Sequence, residues 1–472
     1  MRYSGKATVI IGLLAIMAAD ANAGGDTAAA GRVTITGSVE LETAEMLKAR
    51  ITYSAKYTSI EHAWYSHMLG NLGFDAVVSQ RMRVTAGFEF RSYMNMSPTC
   101  YDMEVNSSAY NLGDLAYSEF FLREAQGIFS LFREGATSVE LALGYMPYKY
   151  SQDVRSLGEF LFRSGTYPFY LLGEFDRPFA RITGARLGVS TGNDIFGWKF
   201  DWLVMTERQY RPFWDISIAA IAGFNVTKAA EFGAGVDFSH CIPMNSDITT
   251  PKGGTGYSPY VLYNKDSTQT ETGSYTFKGT KLMAHASVDP FWMARGGSSI
   301  LGEILGRSGG KIYGEIAVIG FEDYPANAEF DTSITESNPY GYASLKEKSP
   351  WMVGITIPMW KILDECAFEL ERYPNPAPNS TAYLLLNGSP MPFYKRVPQS
   401  TSYGFGVYKP RWYWTLYMKK QIVSHCSAVC QVGREHVQWE LPMIYQTANY
   451  DYEDCMVKPD EWGWHFKMVF GF

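Results

Sequence analysis

The chain has 472 residues, 41 Lys and Arg against 48 Asp and Glu, 72 aromatic side chains (12 Trp, 32 Tyr and 28 Phe) and a mean hydropathy of −0.15. A mildly acidic balance without a basic cluster excludes nucleic acid as a partner. No apolar stretch beyond the N-terminus approaches the roughly 20 residues that a membrane-spanning helix needs, so a chain this aromatic can meet lipid only as a barrel whose polar interior offsets its apolar outside.

At the N-terminus, Arg2 and Lys6 precede an apolar run from Ala7 to Ala19, and Ala21-Asn22-Ala23 sets small residues at the two positions a signal peptidase reads. Residues 1–23 are therefore expected to be a signal peptide of an exported protein, followed by a short N-terminal segment, 24–32. No Cys follows the apolar run, so a lipid-modified N-terminus is not expected.

From residue 33 to residue 472 the dominant pattern is alternation with period 2. Sixteen segments carry it: 33–45, 70–78, 83–94, 116–131, 137–147, 181–190, 196–206, 213–224, 230–240, 276–288, 311–321, 351–359, 364–373, 411–422, 427–439 and 461–472. Phe196, Trp198, Phe200, Trp202 and Val204 form one of the clearest rows. The fold class expected is all-β, a single antiparallel transmembrane β-barrel of about 16 strands, with any even number from roughly 14 to 18 compatible with the pattern. If the last strand descends to the periplasm, six of seven periplasmic connections have four or five residues and seven of eight extracellular ones exceed twenty. Two connections depart from this asymmetry, 207–212 by being short and 289–310 by being long. Ile51, Tyr53, Ala55 and Tyr57 also alternate, and could extend the first strand or form another.

Parity assigns Asp75, Glu89, Arg91, Lys199, Asp201, Glu315, Glu369 and Glu371 to the lumen, together with Asp237, Lys311, Arg411, His465 and Lys467. Both signs occur without a long run of either, a lining that suits hydrophilic solutes and gives at most modest ion selectivity. Between the fifth and sixth segments, residues 148–180 lose period 2. There Val154, Leu157 and Leu161 fall on one helical stripe, and Arg155, Glu159 and Arg163 on another. In position and mixed charge this stretch resembles the third extracellular loop of sixteen-stranded porins. That likeness implies an inward fold with Arg155, Glu159 and Arg163 at a pore constriction; a short helix lying over the extracellular rim or packed against the wall is the other reading.

The long loops, as at Thr249 to Tyr260 and Pro374 to Pro390, carry Tyr, Gly and Pro that could stack on sugar rings. Six cysteines allow fifteen pairings. Cys100, Cys241 and Cys455 lie in or beside extracellular connections where a staple could form, Cys366 reads as a lipid-facing free thiol, and Cys426 and Cys430 have no metal or redox spacing. The sequence has no HExxH or phosphate-binding GxxxxGK motif. His62 and His67 beside Glu61 fall in the first long loop, and Ser427 and His436 have opposite parity on one strand. No enzyme activity, catalytic residue, metal or cofactor is expected.

The last segment puts Trp462, Trp464, Phe466, Met468, Phe470 and Phe472 on one face and Gly463, His465, Lys467 and Gly471 on the other. This resembles the C-terminal strand of Gram-negative outer-membrane β-barrel proteins. There a terminal Phe after alternating apolar residues, here Trp464, Phe466, Met468, Phe470 and Phe472, is the signal read by the barrel-assembly machinery. The expectation is an outer-membrane channel, porin-like, passing small hydrophilic solutes by passive diffusion, surrounded by outer-membrane lipid and able to pack as a homotrimer. The alternative is a surface-exposed glycan-binding or adhesion barrel with a closed lumen.

Overall fold

Side-chain alternation decides the architecture. In a computed structural model of the chain, every second residue of the wall strands turns to the interior and its neighbours turn out. The structure describes residues 31–53, 56–97, 117–162, 180–193, 195–206, 214–227, 229–242, 244, 259–263, 269–274, 279–292, 310–318, 346, 349–360, 362–373, 411–434, 437–439, 455–459 and 462–472. Along β1 (Arg32–Tyr53), β2 (Lys56–Ser79), β3 (Met82–Ser97), β4 (Tyr117–Glu134), β5 (Thr137–Tyr148), β6 (Ala180–Gly192) and β7 (Phe196–Thr206) the chain runs up and down as one meander. It continues through β8 (Ile216–Val226), β9 (Ala230–Ile242), β10 (Pro259–Tyr263), β11 (Gln269–Ser274), β12 (Gly279–Val288), β13 (Ile312–Val318) and β14 (Trp351–Thr356). The remaining strands are β15 (Glu365–Tyr373), β16 (Arg411–Val423), β17 (Cys426–Arg434), β18 (Val437–Trp439), β19 (Cys455–Pro459) and β20 (Gly463–Gly471).

Sixteen of these make the wall: β1 to β9, β12 to β17, and β20, each antiparallel to the next. The ring closes where β20 returns to β1, from Ser38 opposite Gly471 to Met46 opposite Gly463. Closure leaves the wall without an open edge, the condition for a sheet to sit in lipid. β18 and β19 prolong the wall beyond β17 and β20, with β19 paired to β1 at Ala49 to Thr52, while β10 and β11 form a separate ribbon. The seam ends on the terminal residue. The Gly37 N–H donates to the Phe472 carbonyl at 3.0 Å and the Phe472 N–H donates back to Gly37 at 2.9 Å. The Phe472 ring lies over Gly37, where a Cβ would collide with it.

β7 shows the two faces: Asp201 and Leu203 are buried within, whereas Trp202 and Val204 are exposed outside. The outward rows of the other strands supply Phe90, Leu143, Phe238, Val353, Trp412 and Phe470, all exposed. An apolar belt running round the whole wall is far larger than a water-soluble monomer exposes, and lipid is the solvent that fits it. Among the described residues no helix is long and apolar enough to cross a membrane; the chain crosses with strands.

Each of the sixteen expected segments overlaps one wall strand. Within the stretch 46–69, expected as a long loop, residues 46–53 and 56–69 are strand instead: β1 runs to Tyr53 and β2 starts at Lys56, paired with each other as far as Tyr53 opposite Lys56. Alternation at Ile51, Tyr53 and Tyr57 therefore extends an existing hairpin, which satisfies backbone groups that a loop would leave to solvent. The single segment expected at 427–439 is divided into β17 and β18. At the two irregular connections, β7 ends at Thr206 and β8 begins at Ile216, and β12 ends at Val288 and β13 begins at Ile312. Residues 1–23, expected as a signal peptide, most of segment 24–32, Cys100, Arg163, His436, nearly all of 249–260, all of 374–390, and the side chains of His62, His67, Arg411 and Cys455 lie outside the described residues.

Candidate functional site: a segment clamped inside the barrel

After β5 the chain does not continue along the rim. Residues 149–162 enter the barrel and cross to the wall that faces β5, since β15 stands half-way round the sixteen-strand ring. Three wall carboxylates hold the segment by its backbone. Glu369 on β15 accepts the N–H groups of Arg155 (2.6 Å), Ser156 (2.8 Å) and Leu157 (2.8 Å). Glu371 accepts that of Gly158 at 3.2 Å, and Glu315 on β13 accepts those of Glu159 (2.8 Å) and Phe160 (2.9 Å). Six consecutive amides thus point at three carboxylates. The Tyr313 hydroxyl donates to Glu369 at 2.8 Å and the Tyr150 hydroxyl to Glu315 at 2.5 Å. Burial, and then the charge of Glu315, pushes the Tyr150 phenol well above its ordinary range, so it remains a donor.

This clamp overturns the expected helix. An α-helix sends each N–H to the carbonyl four residues back, and the amides of 155–160 go to the wall instead. Residues 150–162 contain no helix. Gly158 and Glu159 take left-handed φ values of 87° and 57°, which swing successive amides from one carboxylate to the next; for Glu159 this costs about 1 kcal/mol. A Cβ at Gly158 would press on Met352 and Glu315.

The apolar residues of the expected stripe do share a role, without a helix to align them. Val154, Leu157 and Leu161, with Phe160, pack against inward residues including Ile182, Leu203, Ile221, Met283 and Met352. An apolar core therefore fills the interior along the arc from β5 to β16, on the side where the segment lies. Nothing in the wall alternation marks it, because inward apolar residues are alternated with outward ones of the same kind.

The three residues expected at a constriction have separate surroundings. Arg155 is partly exposed and forms an ion pair with Glu365. Glu159 is buried, and its Oε1 accepts the Ser151 N–H at 2.8 Å; Arg163 is outside the described residues. Sequence reasoning missed Tyr150, Tyr313 and Gln431, which accepts from the Ser156 hydroxyl at 2.6 Å, because Tyr and Gln carry no charge to single them out.

Wall charges come in close pairs, most of them between strands. On the arc from β20 through β1 to β4, Lys467 Nζ lies 3.2 Å from Glu40, His465 Nδ1 lies 3.7 Å from Glu42, and Arg91 Nη2 lies 2.7 Å from Glu89. Asn71 donates to Glu40 at 2.8 Å and receives Arg123 at 3.2 Å. Asp75 is paired with Arg83. Beyond the segment, Arg186 Nε meets Asp201 at 2.7 Å, Lys199 meets Glu231 at 2.9 Å, Lys281 lies 3.9 Å from Asp237, and Lys311 reaches Asp153 of the segment itself at 2.5 Å. Glu40 and Glu42 were legible from the parity of β1 and were passed over.

Glycines give these side chains room to lie flat. Lys199 crosses Gly223 on β8 to reach Glu231 on β9, and Tyr313 crosses Gly354 on β14 to reach Glu369 on β15; a Cβ at either glycine would meet the crossing side chain. Cys241, Cys366, Cys426 and Cys430 are free thiols. Cys241 is not part of a staple, its Sγ donating to the Ile216 carbonyl at 3.3 Å. Among the described residues, no group of three or more His, Cys, Asp and Glu is placed to hold a metal ion.

No protein-family model matches the chain, and no curated protein matches it in sequence. Among solved structures it is similar to a mutant of the Rh. blastica porin, at 6% identity and a TM-score of 0.40, over 93% of this chain and 100% of that one. It is also similar to Pseudomonas putida OprB, at 10% identity and a TM-score of 0.43, over 93% of this chain and 94% of the other.

Proposed function

We propose that this barrel, porin-like in fold, is an outer-membrane channel through which small hydrophilic solutes diffuse passively, narrowed by the inward segment with Arg155, Glu159 and Arg163 at or near its constriction. The supporting observation is the clamp of Glu315, Glu369 and Glu371 on the backbone of 155–160. It fixes a mixed-charge segment across a lumen that sixteen strands make too wide for wall side chains to fill, and it leaves the arc from β20 to β4 lined by polar groups. The protein does no chemistry in this reading. Residues 1–23 act as its export signal, and the Phe472 seam is the element delivered to the assembly machinery. A homotrimer would bury part of the apolar belt.

A second reading has an observation in its favour. Glu89, Arg91 and Lys467 are at most 2% exposed, as in a lumen closed at that height, and a closed barrel would act through its outer loops in glycan binding or adhesion. Single-channel recording from purified, detergent-refolded protein separates the two. Stable ohmic steps are expected, changing in size in an Arg155→Ala/Arg163→Ala variant. Silence from a barrel shown to be folded by its heat-modifiable migration would sink the channel and leave surface binding.

A further inference from the structure

We infer that the channel sorts solutes by size and hydrogen bonding and not by charge, so that uncharged polar molecules cross it at least as readily as ions of the same size. This rests on the channel reading. The ground is the way the interior neutralises its own charges. Along the polar arc Lys467 is matched by Glu40 and Arg91 by Glu89, with both members of each pair nearly or fully buried. On the segment side, Lys311 is matched by Asp153 and Arg186 by Asp201. Glu315 and Glu369, where the segment docks, are turned onto its backbone amides instead, whose dipoles offset their charge.

Selectivity between ions needs a ring or cluster of one sign facing the permeant species. Opposite charges about 3 Å apart present only a dipole to the water path. Its field falls off faster than that of a single charge, and salt screens the remainder within about 8 Å at physiological ionic strength. An ion entering such a lumen gives up hydration and meets no countercharge in return. An uncharged polar solute exchanges its water contacts for carboxylate, guanidinium and amide groups at little cost. A solute's charge therefore brings it no advantage of either sign.

The test is liposome swelling with three solutes of one size, glucose, gluconate and glucosamine, together with the reversal potential of the refolded protein in a KCl gradient. Similar swelling rates for all three are expected, glucose being no slower than either ion, with a reversal potential near zero. In Glu40→Gln, which removes a negative charge beside Lys467, and Glu89→Gln, which removes the one beside Arg91 and Arg181, the reversal potential is expected to shift toward chloride. A strong preference for gluconate or glucosamine, or a large reversal potential in the unaltered protein, overturns the inference while leaving the channel intact. No swelling with any of the three overturns both. The unaltered protein carries the decision if a variant does not fold.

Discussion

Glu369 is central to the interior: it accepts three backbone amides and a phenol while none of its surface reaches solvent. Burying a carboxylate costs several kcal/mol, and hydrogen bonds to a charged acceptor, worth about 1.5–3 kcal/mol each, offset that cost. Glu369→Gln keeps the shape but removes the charge and turns one oxygen into a donor facing donors. We expect the barrel to fold and the segment to loosen, with a loss of about 1–3 kcal/mol in its docking. Proteolysis inside 150–162 should speed up and open-channel current should become noisier, with heat-modifiable migration unchanged; a segment as protected and quiet as before would show that the clamp is not what holds it. Parity placed Glu315, Glu369 and Glu371 on one face of their strands. What they bind was not legible, since backbone amides leave no trace in a sequence.

At the scale of elements, strands were legible and the segment was not. A strand with unlike faces writes its period into the chain, as Phe232, Ala234, Val236 and Phe238 do against Gly233, Gly235 and Asp237 in β9. The segment has no period, because its conformation answers to carboxylates more than 150 residues away in sequence; its spacing of Val154, Leu157 and Leu161 imitated a helix by serving one apolar core from irregular backbone. The seam between β1 and β20 is the other element with a testable weak point. Gly37→Val, in the outward row of β1, should force the Phe472 ring off its seat while keeping that row apolar. Lower melting temperature in the heat-modifiability assay and slower refolding are expected; unchanged values would mean that the ring contributes nothing to closure.

For the molecule as a whole, the expected class rests on the belt. Trp202 and Trp412 stand on its outer face about half exposed, and a side chain of that size in such a position belongs beside lipid. In vesicles containing brominated lipid the tryptophan fluorescence should be quenched, and less strongly in a Trp202→Phe/Trp412→Phe variant. Fluorescence indifferent to bromine would contradict a membrane-spanning wall. Strand number was recoverable because sixteen periods of alternation reinforce one another; the contents of the lumen were not, because inward Leu203 and Ile221 look the same in sequence as outward Val204 and Ala222.

The inward segment is gripped by its main chain, and main-chain amides are common to every residue but proline. A partly exposed side chain of the segment, that of Arg155, can therefore be exchanged without taking an amide from the clamp, whereas the carboxylates at 315, 369 and 371 cannot. If the protein is the proposed channel, mounting and filter are encoded in different stretches of the chain, so that its selectivity can be retuned within the segment while the strands that hold it stay as they are.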